Sequence, residues 1–229
     1  MSILPVPIVR KHGKVLVIRD DYLEGGTKRR VIPQLLVGGK EFVYASPAQG
    51  YAQLALAYAC RDYGYRATVF VAKRKKMHYL TVEASNVGAK IVEVVNGYLS
   101  VVTSKARIYC KEAGAVLLPF GLDDPLMIKG IAEIAKSLPV APREVWSVAS
   151  SGVLTRALQL AWPQAVFKGI RVGHAPFAGN AEILQAPERF EQKAKIPPPF
   201  PSCANYDAKV WQFIEQYATP GAIFWNVAG

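Results

Sequence analysis

The chain's pattern predicts an α/β fold with a largely parallel sheet. Three observations carry that expectation. Short β-rich runs alternate with longer helical ones along the chain. About half of the 229 residues, 51%, are hydrophobic, enough for a substantial core in one large domain or two small lobes. Start and stop signals, Ser-Pro and single glycines, fall at the expected junctions.

Val15–Asp20 is the first strand candidate and Glu41–Ala45 the second. Ser46-Pro47 then opens a helix over Pro47–Tyr63, the hydroxyl capping free N–H groups and the proline sitting in the first turn, where no donor is needed. Ala55–Cys60 is apolar nearly all round, so this helix belongs between a sheet and another layer. Gly64 stops it. Ala67–Ala72 reads as a strand, Lys76–Val87 as a helix, Lys90–Val95 as a strand, and Leu99–Ala113 as a helix ending at Gly114. Strands at Ala115–Phe120, Glu144–Ala149 and Phe167–Val172 alternate with helices at Pro125–Leu138 and Gly152–Ala161. Phe177–Asn205 holds Pro187, Pro197, Pro198, Pro199 and Pro201 without periodicity, and is expected to be a long ordered loop that wraps the surface or covers a cleft. A helix at Asp207–Tyr217 and a strand at Ala222–Val227 complete the series.

Composition narrows the function classes. No apolar run approaches the roughly 18 residues of a membrane span, and the first residues have neither the basic start nor the apolar stretch of a signal peptide. The expectation is a soluble, cytoplasmic protein. Cys60, Cys110 and Cys203 are too few and too widely spaced for a disulfide framework or a metal pair, and read as buried apolar groups. No metal-binding spacing, Walker motif or dinucleotide fingerprint is present. His78 and His174 lack a ligand partner at metal spacing, and Trp146, Trp211 and Trp225 lie in apolar patterns that read as core.

The net charge is +11, and it belongs to the first half: residues 1–111 hold 18 Lys and Arg against 7 Asp and Glu, residues 112–229 hold 10 against 10. The densest runs are Arg10–Lys14, Lys28–Arg30 and Lys73–Lys76. A solvated basic surface accounts for any one run; three in one half suggest a polyanion partner.

Three segments, taken together, resemble one family. Gly25-Gly26-Thr27-Lys28-Arg29-Arg30 resembles the Gly-Gly-Asn-Lys-x-Arg-Lys signature of aminocyclopropane-carboxylate deaminase and D-cysteine desulfhydrase, which are pyridoxal-phosphate enzymes of fold type II, the tryptophan-synthase-β-like group. Ser150-Ser151-Gly152-Val153-Leu154, between a strand and a helix, resembles the family's Gly-Ser/Thr-Gly-Gly-Thr phosphate loop, with one glycine retained. Asn205-Tyr206-Asp207-Ala208-Lys209, followed by a closing strand, resembles its Tyr-Glu-Gly-Lys motif. The order along the chain also matches: lysine early, alanine-rich helix next, phosphate loop past the middle, acidic residue near the end.

The resemblance implies pyridoxal phosphate as cofactor, with Lys28 as its Schiff-base lysine. Ser150, Ser151, Gly152, Val153 and Leu154 surround the phosphate, Asp207 pairs with the pyridine nitrogen, and Tyr206 lies near the substrate for orientation or proton transfer. A lysine used this way must lose its proton near neutral pH, through desolvation or neighbouring cations, here Arg29 and Arg30. Gln49-Gly50-Tyr51-Ala52-Gln53 resembles the family's Ser-Gly-Asn loop and the start of its helix. It assigns Gln49, Gly50 and Gln53 to the substrate, and puts Tyr51 where the family has the asparagine that faces the cofactor. That departure changes either the cofactor contact or the substrate pocket.

The expected architecture is two α/β lobes of mainly parallel twisted sheets flanked by helices, with the cofactor cleft between them. Residues 42–117 form the smaller lobe, inserted into a larger one made of 1–41 and 118–229. The expected activity breaks a bond at the α-carbon of an amino-acid group, as a lyase, deaminase or decarboxylase. Family members commonly dimerise, so a homodimer is open. The chain is short and basic for the family, which suggests a substrate carried on nucleic acid, such as a modified base of viral DNA from a bacteriophage, with Arg29, Arg30, Lys73, Arg74, Lys75 and Lys76 on the phosphates. A free amino acid is the other substrate, and a non-catalytic nucleic-acid-binding protein on the same fold the other reading.

Overall fold

The computed structural model describes residues 4–95, 97–173 and 177–229. The chain divides into two compact units, one of residues 4–30 and 123–229 and one of residues 31–122.

The first unit is built on a six-stranded sheet: β1 (Ile8–His12), β2 (Val15–Arg19), β7 (Glu144–Ala149), β8 (Val166–Arg171), β9 (Glu182–Gln185) and β10 (Ile223–Asn226), in the order β1-β2-β10-β7-β8-β9. β1 and β2 form an antiparallel hairpin, and every other pairing is parallel. Its helices are α1 (Gly26–Arg29), α5 (Pro125–Lys136), α6 (Val153–Ala161) and α7 (Trp211–Tyr217). The cap of α5 is legible in the sequence: the Asp124 carboxylate accepts the Leu126 N–H at 2.8 Å, and Pro125 needs no acceptor in the first turn. Trp146 on β7 and Trp225 on β10 are fully buried, and Trp211 on α7 is buried.

The second unit holds a four-stranded, all-parallel sheet: β3 (Glu41–Ala45), β4 (Arg66–Ala72), β5 (Lys90–Val94) and β6 (Val116–Leu117), in the order β5-β4-β3-β6. Its helices are α2 (Ala52–Tyr63), α3 (Tyr79–Asn86) and α4 (Leu99–Ala113). Every residue of α2 from Ala52 to Cys60 is buried, as the apolar run Ala55–Cys60 requires, and Gly64 ends it in the left-handed region. Val43, Phe70, Val94, Val102 and Ala106 form the core between the sheet and α4. The three cysteines are buried and unpaired with one another.

Five expectations change. α2 starts at Ala52, not Pro47, because the Ser46 hydroxyl donates to the Pro47 carbonyl at 2.9 Å and caps no helical N–H. The units part at residues 30/31 and 122/123, not 41/42 and 117/118, because Ile32–Leu35 forms a 3₁₀ turn that packs on α2. β1 is a strand although three of its five residues are exposed and none is fully buried; it is a hairpin edge whose Arg10 and Lys11 suit an unpaired border. β9 lies inside the segment expected to be loop throughout. α3 starts at Tyr79, not Lys76, because the His78 ring accepts the Leu80 N–H at 3.3 Å and caps it there. His174 lies outside the described residues. No helix among the described residues is long and apolar enough to cross a membrane.

Candidate functional site

β2, β10 and β7 are parallel neighbours, so the segments leaving their C-terminal ends lie side by side. β2 leads to the Lys28 turn, β10 to Val227 and Ala228, and β7 to Ser150–Leu154. The crevice beyond the carboxyl ends of parallel strands is where sheets of this kind bind ligands.

The Lys28 turn is held by hydrogen bonds on both sides. Gly25 and Gly26 both take positive φ, 83° and 67°, and a Cβ on Gly26 would stand 2.4 Å from the Val227 carbonyl oxygen, so only glycine lets the turn lie on the end of β10. The Thr27 N–H donates to that same oxygen at 3.1 Å. Thr27 Oγ1 donates to Asp20 Oδ2 at 2.7 Å and accepts from Trp225 Nε1 at 2.8 Å. Arg30 donates through Nε and Nη2 to Asp20 Oδ1 at 2.8 and 2.6 Å. Asp20 is fully buried, and burial pushes its carboxyl up, with Arg30 and then Thr27 pulling it back down.

Lys28 therefore projects from a fixed four-residue helix. Burial lowers its amine from 10.5 to about 8, and Asp123 pulls the other way. The side chain keeps some accessible surface because it faces a pocket, while its amine end is enclosed. The expected helpers are not the cause. Arg29 is buried, donating to the Glu24 carbonyl at 2.9 Å and pairing with its carboxylate at 3.8 Å, and Arg30 is paired with Asp20. Both arginines brace the turn, which also removes them from the expected nucleic-acid contacts.

The second segment turns at Gly152, with φ 82°, where a Cβ would meet the Phe177 carbonyl oxygen at 2.0 Å. α6 starts directly after it. Its first-turn N–H groups have no acceptor within the helix and sit at the positive end of its dipole, an arrangement suited to an anion. Thr155 is not available to such an anion, because its hydroxyl lies 2.9 Å from that of Ser147 in the buried interior. Arg156 pairs with Asp123 at 2.7 Å.

The third segment places Tyr206 and Asp207 against the end of β10. Asp207 is fully buried, and neither carboxylate oxygen makes a hydrogen bond of ordinary distance and angle among the described residues. Burial pushes its carboxyl well above the usual range; the peptide N–H groups of Val227 and Ala228 lower it in part, and Asp21 raises it further.

These segments converge on one small cavity of about 20 Å³. Thr27 and Lys28 line it from the first segment, Ser151 to Leu154 from the second, and Tyr206 and Val227 from the third, with Ile131 and Val148 supplying apolar wall. Ser150 and Asp207 do not line it. Asp207 is enclosed next to Tyr206 and against the peptide groups of Val227 and Ala228.

The remaining expected site residues belong to the second unit. Gln49 is buried, and Gly50 and Tyr51 are half-buried in the turn that leads into α2. Gln53 is a correction: it is fully buried, its Nε2 donates to the Ala48 and Gly50 carbonyls at 3.0 and 2.9 Å, and its Oε1 accepts from Thr81 at 2.9 Å. With both ends of its amide satisfied, it braces the turn and has nothing left for a substrate. Lys73, Arg74, Lys75 and Lys76 are exposed. Among the described residues no group of His, Cys, Asp and Glu is placed to hold a metal.

Asp20, Thr27 and Asp123 shape the Lys28 environment and carry no motif of their own. The one signal for Thr27 is its place directly before the lysine.

No family model matches the chain, and no curated protein matches it. Solved structures do. An ACC deaminase homologue superposes with a TM-score of 0.78 at 12% identity, over 93% of this chain and 84% of that one. Maize serine racemase gives 0.69 at 12% identity, over 97% and 88%. The processed form of threonine deaminase isoform 2 from Solanum lycopersicum gives 0.69 at 12% identity, over 93% and 74%. The fold is thus the tryptophan-synthase-β-like α/β fold.

Proposed function

We propose that this chain is a pyridoxal-phosphate-dependent enzyme that breaks a bond at the α-carbon of an amino-acid group. The observation that carries the reading is a single pocket lined by a lysine whose amine burial lowers to about 8 and by the N-terminus of α6. Its fold, shared with structures described as deaminases and a racemase, supports the same reading.

The residues fit the cofactor. Lys28, on the pocket wall, would hold the cofactor through its amine. Ser151 and the amides of Gly152, Val153 and Leu154 suit its phosphate, with Ser150 one residue behind them. Asp207 is enclosed behind the pocket wall, so its pairing with a ring N–H rests on the resemblance of its motif. When bound, pyridoxal phosphate withdraws electrons from the substrate's α-carbon. Lys28, whose amine burial brings to about 8 and so closer to neutral pH than the ordinary 10.5, takes and returns the proton there. Tyr206, on the pocket wall, orients the substrate or shares in that transfer. Ile131 and Val148 keep water from that side. The roles of Gln49, Gly50 and Tyr51 rest on the resemblance of their loop alone.

Lyase, deaminase and decarboxylase chemistries differ in which α-carbon bond is aligned for cleavage. The amino acid is free or carried on nucleic acid such as a modified DNA base, and the excess of 18 cations over 7 anions in the first 111 residues supports the second. The test is α-proton exchange in deuterated water, followed by NMR with the reconstituted protein and a panel of amino acids. Exchange lost in Lys28→Ala supports the reading. No exchange with any amino acid, in a protein that also fails to retain the cofactor, contradicts it.

A further inference from the structure

The structure redistributes the chain's charge. Of the three basic runs, Lys28–Arg30 is enclosed in the candidate site and its braces, and Arg10–Lys14 forms a hairpin edge, where Lys14 Nζ donates to the Glu215 carbonyl at 3.2 Å. Lys73, Arg74, Lys75 and Lys76 are different. All four are exposed, and none is in an ion pair among the described residues. Four adjacent like charges repel one another, and that repulsion is relieved when an anion lies along them.

Their placement is fixed by the sheet. The Lys73 N–H donates to the Val94 carbonyl at 2.8 Å, one step past the Ala72–Val94 pairing of β4 with β5, so the run leaves the C-terminal edge of this sheet in a set direction. The segment following β5 returns beside it: a Cβ on Gly97 would lie 3.5 Å from that of Ala72. The next residue, Tyr98, is 84% exposed. At the other end of the run Tyr79, the first residue of α3, is 58% exposed with its ring tilted against His78 at 4.6 Å. The His78 ring is committed to capping α3, and burial with Arg74 nearby lowers its pKa, so it adds no charge.

A row of free cations is thus flanked by two solvent-facing phenol rings. Cations track a phosphate backbone, and aromatic rings stack bases that have no partner strand. A duplex keeps its bases stacked inside and offers these rings nothing. We propose that Lys73–Lys76, Tyr79 and Tyr98 form a binding surface for single-stranded nucleic acid. It lies wholly on the second unit and stands whether or not Lys28 carries a cofactor.

The test is fluorescence anisotropy of a labelled single-stranded 12-mer with the full chain across a potassium chloride series. Four phosphate contacts give an affinity falling with a log–log slope of about −3. The quadruple variant K73A/R74A/K75A/K76A flattens that slope. Tyr98→Ala weakens the oligonucleotide by roughly five- to a hundred-fold while leaving heparin binding unchanged. All these residues are exposed, and circular dichroism of each variant verifies that the fold is kept. The proposal is overturned by no binding at low salt, by an unchanged slope in the quadruple variant, by Tyr98→Ala without effect, or by duplex binding as tight as the single strand.

Discussion

Replacing Thr27 with valine keeps the shape of the side chain and removes its hydroxyl. Two buried hydrogen bonds go with it, the 2.7 Å bond to the Asp20 carboxylate and the 2.8 Å bond from Trp225 Nε1. The first is charge-assisted, worth about 1.5–3 kcal/mol, and the second leaves a buried donor unsatisfied at about 1–3 kcal/mol, so the expected loss is roughly 3–5 kcal/mol. For a chain of this size that lowers the melting temperature by roughly 6–20 °C. The same change loosens the turn on which Lys28 is mounted. Differential scanning calorimetry reads the first effect. pH-dependent labelling of Lys28, followed by mass spectrometry, reads the second, with the midpoint moving from about 8 toward the ordinary 10.5. Thr27→Ser keeps the hydroxyl and restores both. A valine variant as stable as the wild type, with an unmoved Lys28 midpoint, would refute the reasoning.

Three further outcomes follow from the site. Lys28→Met stabilises the cofactor-free protein at pH 7 by up to about 3 kcal/mol, because the folded amine is held near 8 rather than 10.5; in the wild type the penalty is constant below pH 8 and relieved as pH rises from 8 to 10.5, a slope that a urea series at several pH values detects. Asp207 has the opposite sign: its folded pKa is raised, so its contribution is favourable below the unfolded carboxylate pKa and is lost as pH rises through the folded value, and Asp207→Asn removes that slope in the same series. Gly152→Ala places a methyl 2.0 Å from the Phe177 carbonyl at a φ of 82°, costing about 1–2 kcal/mol from the dihedral alone and displacing one of the two segments; the thermal stabilisation given by pyridoxal phosphate disappears with it.

What the sequence made legible was periodicity and punctuation. The α2 helix announces itself through its run of alanine and leucine and through Gly64, but its start does not: Ser46-Pro47 forms a turn ahead of it, and the Ser46 hydroxyl donates to the Pro47 carbonyl at 2.9 Å instead of capping the helix. The edges do not. β1 pairs through its backbone while its side chains, Arg10 and Lys11 among them, face water, so no apolar alternation marks it, and β9 is likewise mostly exposed. The site followed the same division. Lys28, Gly152 and Tyr206 sit in motifs tied to the ends of β2, β7 and β10, and they meet because those strands are neighbours. Residues whose part depends on a distant partner were misread or missed. Gln53 looked like a substrate contact until its amide met Ala48, Gly50 and Thr81, and Arg30 looked like a free cation until it met Asp20. Asp123 and Asp20 act on the Lys28 turn from elsewhere in the chain, a relation that only the folded structure supplies.

The most direct test of the central claim is an absorption spectrum of the protein reconstituted with pyridoxal phosphate, for wild type and Lys28→Ala, before and after borohydride. The account expects a visible Schiff-base band that is absent in the variant and abolished by reduction, with the label recovered on the peptide holding Lys28. A wild-type protein that takes up no cofactor, or a reduced label on another lysine, would contradict it.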